Sequence, residues 1–509
     1  MPNYLSPGVY VEEVSSGSKP IEGAGTAVAA FVGFAEKGPT NAPTLVTNWT
    51  QYTQTFGEFI EGSFLAHSVY GYFLNGGGAA YVVRIGANDT SPQSTGARAE
   101  LSSGDGKGAL TAKALDPGAA GNDIAIEFAD ASEPGDETFK LLVKRQGQVV
   151  ETYDNVSLKR GPNNVVTKVK AESKVISLEE TKGGSLALPE RGREIQLGGG
   201  TAPATGMRVA PNDYSGNSAD RTGFAGLEAV DEVTMLIVPD LIAAHLNGLI
   251  DAEGMKAVQL AMIAHCELMS DRVAILDAPP GLNAQQVKEW RTGYAGYDSK
   301  YAALYWPYIK VMDPLAGKPV FMPPSGHIAG VWARNDATRG VHKAPANEVI
   351  RGAVSLELQI TKPEHDQLNP VGVNCIRAFP GQGIRVWGAR TLSSDPEWRY
   401  LNVRRLFNFV ETSILSGTNW VVFEPNDPKL WDSVKRTINM FLRRVWRDGA
   451  LFGRTPAEAF FVKCDEENNP PENRDAGLLT VEIGIAPVKP AEFVVFKISQ
   501  FAGGAGLEE

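Results

Sequence analysis

AVAAFVGF at residues 27–34 and AAYVVRI at residues 79–85 are the two apolar runs that decide the fold class of this chain. Each is short and apolar, as expected for a buried strand. Between them, residues 64–74 have a helical pattern that ends at Gly76-Gly77-Gly78, and glycine favours helix termination. A strand, a helix and a strand in this order predict an α/β unit with a partly parallel sheet.

The same alternation of strands and helices returns after Tyr214. Val233–Pro239 and Val273–Asp277 are predicted strands on either side of a long helical stretch, Leu241–Met269.

Two Asp-Pro pairs predict helix starts further along the chain. Asp395-Pro396 and Asp427-Pro428 each place an N-cap aspartate before an N1 proline, so we expect helices from there to about Leu415 and Arg447. Residues 479–485 alternate apolar and small or polar side chains, which predicts a half-buried strand.

Residues 88–211 differ in composition from the rest of the chain. Gly, Ser, Thr, Lys and Val dominate there, and large aromatic side chains are few. Short β-rich runs at Asp123–Phe128, Thr138–Lys144 and Asn164–Val169 lie between turn residues. A disordered linker is the alternative, but the regular strand-like runs favour a small, peripheral β domain.

These patterns predict an α/β fold with a mixed α+β sheet in a discontinuous body domain, residues 26–90 plus 212–486. Residues 91–211 are predicted to be an inserted, mainly β outer domain. We expect an N-terminal arm and linker at residues 1–25, and a linker and C-terminal arm at residues 487–509.

Both ends of the chain have the pattern of a short strand on a tether. GVYVEEV at residues 8–14 precedes a Ser/Gly stretch, and EFVVFKISQF at residues 492–501 follows two prolines. Because an isolated strand leaves its backbone groups unpaired, such a segment either returns to its own sheet or adds to that of another chain. The residues alone leave both alternatives open. The candidate inter-subunit residues are Val9, Tyr10, Val11 and Val14 in the N-terminal arm, and Phe493, Val494, Val495, Phe496 and Ile498 in the C-terminal arm.

Composition narrows the class of protein. A chain of 509 residues is too long for one ordinary core. The net charge of −11 argues against general binding to nucleic acid or to anionic membranes, and no apolar run is long enough to span a membrane. Three widely spaced cysteines suit a reducing cytoplasm, and the N-terminal residues lead us to expect no Sec-type signal.

A search for chemical motifs predicts no catalytic, cofactor-binding or metal-binding residues. Gly104–Gly108 and Gly198–Gly200 lack the spacing of phosphate-binding loops. Ser325, His327 and Asp313 supply the residue types of a catalytic triad, but the GxSxG context is missing. We therefore expect a protein that is not an enzyme.

One charge pattern remains. In the predicted helix 428–447, apolar residues gather on one face and Lys429, Arg436, Arg443 and Arg447 gather on the opposite face. We call these four residues the basic stripe. A solvated face usually mixes both signs, so the stripe indicates contact with an acidic partner, with ordinary solvation as the alternative.

Several long segments resemble contractile tail sheath proteins. They are YLSPGVYVEEV (4–14), LEAVDEVTMLIVPD (227–240), PPSGHIAGVWARNDATRGVHKAPANE (323–348), FPGQGIRVWGARTLSSDPEWRYLNVRRLF (379–407) and WVVFEPNDPKLW (420–431). The chain is most similar to sheaths of phage-tail-like extracellular contractile injection systems, followed by sheaths of contractile phages and R-type pyocins.

The resemblance implies a homo-oligomer of six subunits per ring, stacked helically around an inner tube, with baseplate and cap proteins as further partners. It implies that terminal arms add strands to the C-terminal body sheet of neighbouring subunits, and that the inserted domain faces outward. Assembly in the bacterial cytoplasm would precede incorporation into an injection particle or virion tail. No cofactor, nucleic acid or direct membrane insertion is implied, and assigning the basic stripe to the tube is our own inference.

Two other function classes remain open from the residues alone. One is a cytoplasmic α/β enzyme with a β insertion, and the other is a non-contractile, self-assembling shell protein.

Overall fold

The computed structural model describes most of the chain. The described residues are 20–86, 96–102, 108–115, 119–133, 135, 137–145, 147–159, 161–180, 191–200, 209–314 and 317–497. The predicted N-terminal strand at residues 8–14 lies outside them, as does Ile498 of the predicted C-terminal strand.

The strands alternate with helices through most of the chain. The strands are β1 (Val28–Gly33), β2 (Thr44–Val46), β3 (Ala79–Arg84), β4 (Arg98–Ser102), β5 (Gly108–Ala114), β6 (Ile124–Asp130), β7 (Phe139–Arg145), β8 (Gln148–Val156), β9 (Ile176–Glu180), β10 (Glu194–Gln196), β11 (Met235–Ile237), β12 (Val273–Asp277), β13 (Ala302–Trp306), β14 (Ile309–Asp313), β15 (Lys318–Met322), β16 (Glu348–Val349), β17 (Ala353–Leu356), β18 (Val373–Phe379), β19 (Gly383–Val386), β20 (Phe460–Lys463) and β21 (Glu482–Ile485).

The α-helices are α1 (Trp49–Phe56), α2 (Leu65–Asn75), α3 (Val165–Glu172), α4 (Pro211–Ser215), α5 (Asp240–Leu246), α6 (Ala252–Met269), α7 (Ala284–Glu289), α8 (Ser325–Arg339), α9 (Lys362–Leu368), α10 (Leu401–Thr418), α11 (Pro428–Arg447), α12 (Pro456–Ala459) and α13 (Pro471–Asp475). Among the described residues, no helix is long and apolar enough to cross a membrane.

A nine-stranded sheet forms the centre of the molecule, in the order β16-β19-β18-β13-β12-β11-β1-β3-β2. The six strands from β18 to β3 pair in parallel, and β2, β19 and β16 pair antiparallel at the two ends. The prediction of a mixed α/β fold is confirmed. The two runs that predicted it became β1 and β3, which are direct parallel neighbours.

Alternate side chains of the central strands enter two separate cores. Ala30 and Val32 of β1 pack with α4 to α7 and α9, whereas Ala29 and Phe31 pack with α1, α2 and α8. The sheet is therefore buried on both faces, which is the usual environment of parallel strands.

Two predicted helices differ from the observed ones. The predicted stretch 241–269 is interrupted, because Asp251 accepts a hydrogen bond from the backbone N–H of Gly254 and starts a second helix, α6. The helix expected from Asp395 begins only at Leu401, since the Asp395 carboxylate accepts from the backbone N–H of Glu397 in a local turn instead. The helix expected from Asp427 is confirmed as α11.

Residues 96–200 form an inserted module with its own core. One antiparallel sheet has the order β10-β6-β7-β8 and the other β4-β5-β9. Their inner faces share a core that includes Phe128, Phe139 and Tyr153. The β-rich run predicted at Asn164–Val169 is wrong: it is α3, whose N-cap Asn164 accepts from the backbone N–H of Thr167.

Residues 401–488 of the chain form a C-terminal lobe that lies against the rest of the predicted body domain through α10. From here on, "the body" means that rest, without the lobe. The core of the lobe combines the apolar faces of α10 and α11 with one face of the β20–β21 hairpin, including Trp431, Phe441 and Phe460. The strand predicted at residues 479–485 is confirmed in its second half as β21.

Candidate assembly surfaces

The triad residue types do not form a catalytic arrangement. Ser325 at the start of α8 donates its Oγ–H to Asp277 at 2.5 Å, whereas Asp313 is 3.1 Å from Nε2 of His67. Burial raises the pKa of Asp277 to about 7, against the two hydrogen bonds from Ser325. His327 is buried, and its pKa is lowered to about 4 mainly by that burial. Ser325 thus fixes the start of α8 to β12 of the central sheet, and His67 fixes α2 to β14.

A second buried carboxylate has the same structural role. Asp240 accepts hydrogen bonds from the backbone N–H of Phe34 at 2.6 Å and from Ser63 Oγ at 2.8 Å, and also binds backbone N–H groups at the start of α2. Burial raises its pKa to about 6. Among the described residues, no cluster of three or more potential metal ligands was found.

The first described residues of the chain are fixed to the C-terminal lobe. Ile21 is 2 % exposed and packs in the core of the lobe. Its carbonyl accepts from Nη2 of Arg444 at 3.0 Å, and the backbone N–H of Ala24 donates to Ser413 Oγ at 2.9 Å. Part of the predicted linker is therefore anchored, and Arg444 of α11 makes a contact that no sequence pattern indicated.

The hairpin of β20 and β21 is a two-stranded sheet with no further strand at either edge among the described residues. Within the described residues each strand has the other as its only sheet partner, through the register Phe460↔Ile485 to Lys463↔Glu482. Its inner face packs on α11, and its outer face carries Phe461, which is 54 % exposed. Gly484 opposite lets the Phe461 ring lie across the hairpin, since an added Cβ there would overlap that ring.

The C-terminal segment lies along the body up to Glu492 and then becomes exposed. Phe493 to Phe496 are between 67 and 82 % exposed and belong to no sheet among the described residues. Glu492 is in no strand either, although the sequence pattern predicted the start of one there. Its carboxylate contacts Arg390, Asn369 and Tyr400.

The basic stripe is exposed, as the helical pattern requires. Lys429, Arg436, Arg443 and Arg447 all lie on the outer face of α11, opposite its buried apolar face. No carboxylate of the described residues lies within 4.0 Å of their charged groups. The structure thus brings these four cations together on one helix face and leaves them available to another molecule.

One further exposed feature had no signal in the sequence. Phe423, in the turn before α11, is fully exposed with a φ of 68°, a conformation that a bulky residue rarely adopts. The turn is held by Asn426, which accepts from Trp431 Nε1 at 2.7 Å and donates to the carbonyl of Leu478 at 2.9 Å.

Comparison with known proteins gives matches over more than half of the chain. Residues 225–392 match the phage tail sheath protein central domain, and residues 393–501 match the phage tail sheath C-terminal domain.

Two relatives carry the same description. The tail sheath protein of Burkholderia phage BcepMu is 24 % identical over 515 residues, covering 97 % of this chain and 96 % of that protein. The tail sheath protein of Vibrio phage KVP40 is 26 % identical over 250 residues, covering 46 % of this chain and only 36 % of that protein.

A solved structure shares the fold over nearly the full length. The sheath complex of the extracellular contractile injection system PVC, in its contracted state, has a TM-score of 0.59 at 23 % identity, covering 98 % of this chain and 99 % of that chain.

Proposed function

The chain belongs to the family of contractile tail sheath proteins, and on that premise we propose that it polymerises as stacked six-membered rings around an inner tube and contracts to drive the tube through a target envelope. Like its relatives, it is a structural protein and not an enzyme. The observation that carries the proposal concerns the described C-terminal residues: the exposed apolar segment Phe493–Phe496 belongs to no sheet there, and the strands of the β20–β21 hairpin pair only with each other.

We propose that the terminal arms join neighbouring subunits by adding strands to this hairpin. Each new backbone hydrogen bond contributes about 0.5–1.5 kcal/mol net. Burying Val494 and Phe496 would add about 1.5–3 kcal/mol each. Val9, Tyr10, Val11 and Val14 would contribute in the same way from the N-terminal arm, together with Phe493, Val495 and Ile498 from the C-terminal arm.

The basic stripe is proposed to face the inner tube. Exposed ion pairs contribute only about 0–1 kcal/mol each, so a rim of such contacts can guide assembly and still break when the sheath contracts. The arms would hold while the tube contact is released.

We propose that contraction is the release of a kinetically trapped helical polymer. A head-to-tail interface whose rotation does not close gives a helical stack of indefinite length, so baseplate and cap proteins would set where it starts and stops. The extended sheath would be a kinetically trapped state, assembled in the bacterial cytoplasm and released by a baseplate signal in the finished particle. The inserted module, residues 91–211 in the predicted bounds, would form the outer surface.

Deleting an arm tests the subunit junction. Removal of residues 1–20 or of residues 493–509 should leave a folded, soluble subunit that forms no sheath, as judged by negative-stain microscopy. Removal of residues 502–509 alone is the matched control and should leave long and short striated tubes. Normal sheaths from either arm deletion would contradict the proposal.

Reversing the stripe tests the tube contact. Lys429, Arg436 and Arg443 changed together to Glu should weaken co-assembly with the tube protein while the subunit stays folded. The control makes the same change of charge on exposed Lys174, Lys318 and Lys362. Equal co-assembly by both triple variants would mean that the stripe is only a solvated face.

A further inference from the structure

The chain is held on its own subunit through the residues that precede the C-terminal arm. The backbone N–H of Phe452 donates to the carbonyl of Ala486 at 2.8 Å, and that of Val488 to Ala450 at 3.2 Å. Asn402 Nδ2 donates to the carbonyl of Val488 at 3.1 Å. The prolines in this stretch therefore do not begin a free linker.

Glu492 makes the last of these attachments and the most polar one. Its Oε1 accepts from Nε of Arg390 and from Nδ2 of Asn369, both at 2.8 Å. Its Oε2 accepts from Nη2 of Arg390 at 2.7 Å and from the hydroxyl of Tyr400 at 3.1 Å. The arginine contact is thus bidentate, the geometry in which charge-assisted hydrogen bonds are strongest.

The guanidinium is itself held in place for this contact. Arg390 is 8 % exposed, and its Nη1 donates to the carbonyl of Asn369 at 3.3 Å. The side chain of Asn374 accepts from the backbone N–H of Arg390 at 2.7 Å and donates to its carbonyl at 2.8 Å. A charge so buried needs a partner, because an unpaired one costs far more than an exposed one.

The residues immediately beyond this point have the opposite character. Glu492 is largely covered by its partners, whereas the side chains from Phe493 to Phe496 are exposed and apolar. The change from polar attachment to exposed apolar chain occurs between two adjacent residues.

We propose that Glu492 is a positioning residue that fixes the root of the C-terminal arm to its own subunit, through the bidentate contact with Arg390. The inference rests on the proposed role of the arm as a link to a second copy of this chain. When subunits move during contraction, a pull on the docked arm is transmitted to the body at Glu492. Without this contact the pull reaches the hairpin strand β21 through residues 486–491.

The test compares full-length variants assembled with the tube protein. Glu492→Ala should still form sheaths, because the arm remains intact. Backbone amides of residues 486–492 should exchange with deuterium about tenfold faster or more, since each lost charge-assisted hydrogen bond lowers the attachment equilibrium by about that factor.

The functional readout is the fraction of contracted sheaths that stay continuous in negative-stain images. We expect Glu492→Ala to reduce this fraction severalfold. Glu492→Gln, which keeps the shape and neutral hydrogen bonds, should show a smaller loss. Lys489→Ala, an exposed change three residues earlier, should behave as the wild type.

The outcomes separate this inference from the proposed function. Sheath formation by the chain without residues 493–509 would overturn the arm as a link. If that deletion blocks assembly but Glu492→Ala contracts into sheaths as continuous as the wild type, the link stands and the positioning role is wrong. If Glu492→Ala does not fold, the Glu492→Gln result decides in the same way.

Discussion

The nine-stranded sheet and the two-stranded hairpin solve the problem of sheet edges in opposite ways. The large sheet is covered by helices on both faces and ends in very short strands, three residues in β2 and two in β16. The hairpin has one covered face, and within the described residues its two four-residue strands pair only with each other. Short edge strands discourage pairing with other chains, whereas an isolated hairpin is only marginally stable in water. The large sheet therefore has few exposed pairing groups, and the proposed function assigns the strands that complete the hairpin to other subunits.

A large-to-small change in the body should have the largest effect on subunit stability. Trp332 of α8 is fully buried and donates from Nε1 to the hydroxyl of Tyr305 at 3.1 Å. Trp332→Ala should lower the free energy of unfolding by about 3–5 kcal/mol, because it leaves a cavity and an unpaired hydroxyl. Urea unfolding followed by circular dichroism measures this. A loss below about 1 kcal/mol would mean that the body is not tightly packed around Trp332.

The anchor of the N-terminal segment should have the next largest effect. Ile21→Ala should destabilise the C-terminal lobe by about 2 kcal/mol or more, the usual cost of truncating a buried isoleucine. Hydrogen exchange in α10 and α11 should then increase while that of β11 to β13 stays unchanged. The exposed neighbour Glu22→Ala is the control. Equal exchange in both variants would show that the lobe does not depend on this residue.

The stability of the subunit should depend on pH through buried carboxyl groups of the body, such as Asp277, and not through the hairpin. The folded chain holds the Asp277 proton up to a pKa of about 7, whereas the unfolded carboxyl releases it near the ordinary aspartate pKa of 3.8. The folded state therefore binds more protons between these values, and its stability falls as pH rises through this window.

Asp277→Asn should remove that slope. As pH rises through this window, the free energy of unfolding of the variant should gain on that of the wild type by about 1.4 kcal/mol per pH unit. Denaturation at several pH values measures the difference, with exposed Asp366→Asn as the control. Parallel pH profiles for the wild type and Asp277→Asn would contradict the raised pKa.

The smallest effect on the subunit should come from the outer face of the hairpin. Phe461→Ala removes a half-exposed ring and should change the free energy of unfolding by no more than about 0.5 kcal/mol. If this face is completed by other subunits, the same variant should nevertheless raise the concentration needed for assembly, measured by sedimentation. A large loss of stability without an assembly defect would mean that Phe461 stabilises its own subunit and that other subunits do not cover this face of the hairpin.

Much of the body could be predicted from local patterns. Continuous apolar runs gave β1, β3 and β12, because strands buried on both faces contain few polar residues. The Asp427-Pro428 pair gave α11 correctly, since the side chain of Asp427 caps the helix as its type favours.

The errors arise where tertiary contacts override local preference. Val165, Val166 and Val169 suggested a strand, but two of them are buried in the core of the module as part of a helix. No local signal showed that Glu492 is attached to the body. Its partners lie near residues 369, 390 and 400, and only the fold brings them together.

The positions at which the inserted module joins the body bear on how much the module can change in size. The body chain leaves at Gly86 and returns at Val209, and a Cβ placed on Gly86 would lie 3.8 Å from Cγ2 of Val209. The two described residues that flank the module on the body side therefore lie close to each other. Because closure entropy grows only by about 0.6 kcal/mol for each doubling of loop length, modules of very different size can be exchanged here at little cost to the rest of the fold. We therefore expect that the module can be shortened, extended or replaced while the body keeps its fold.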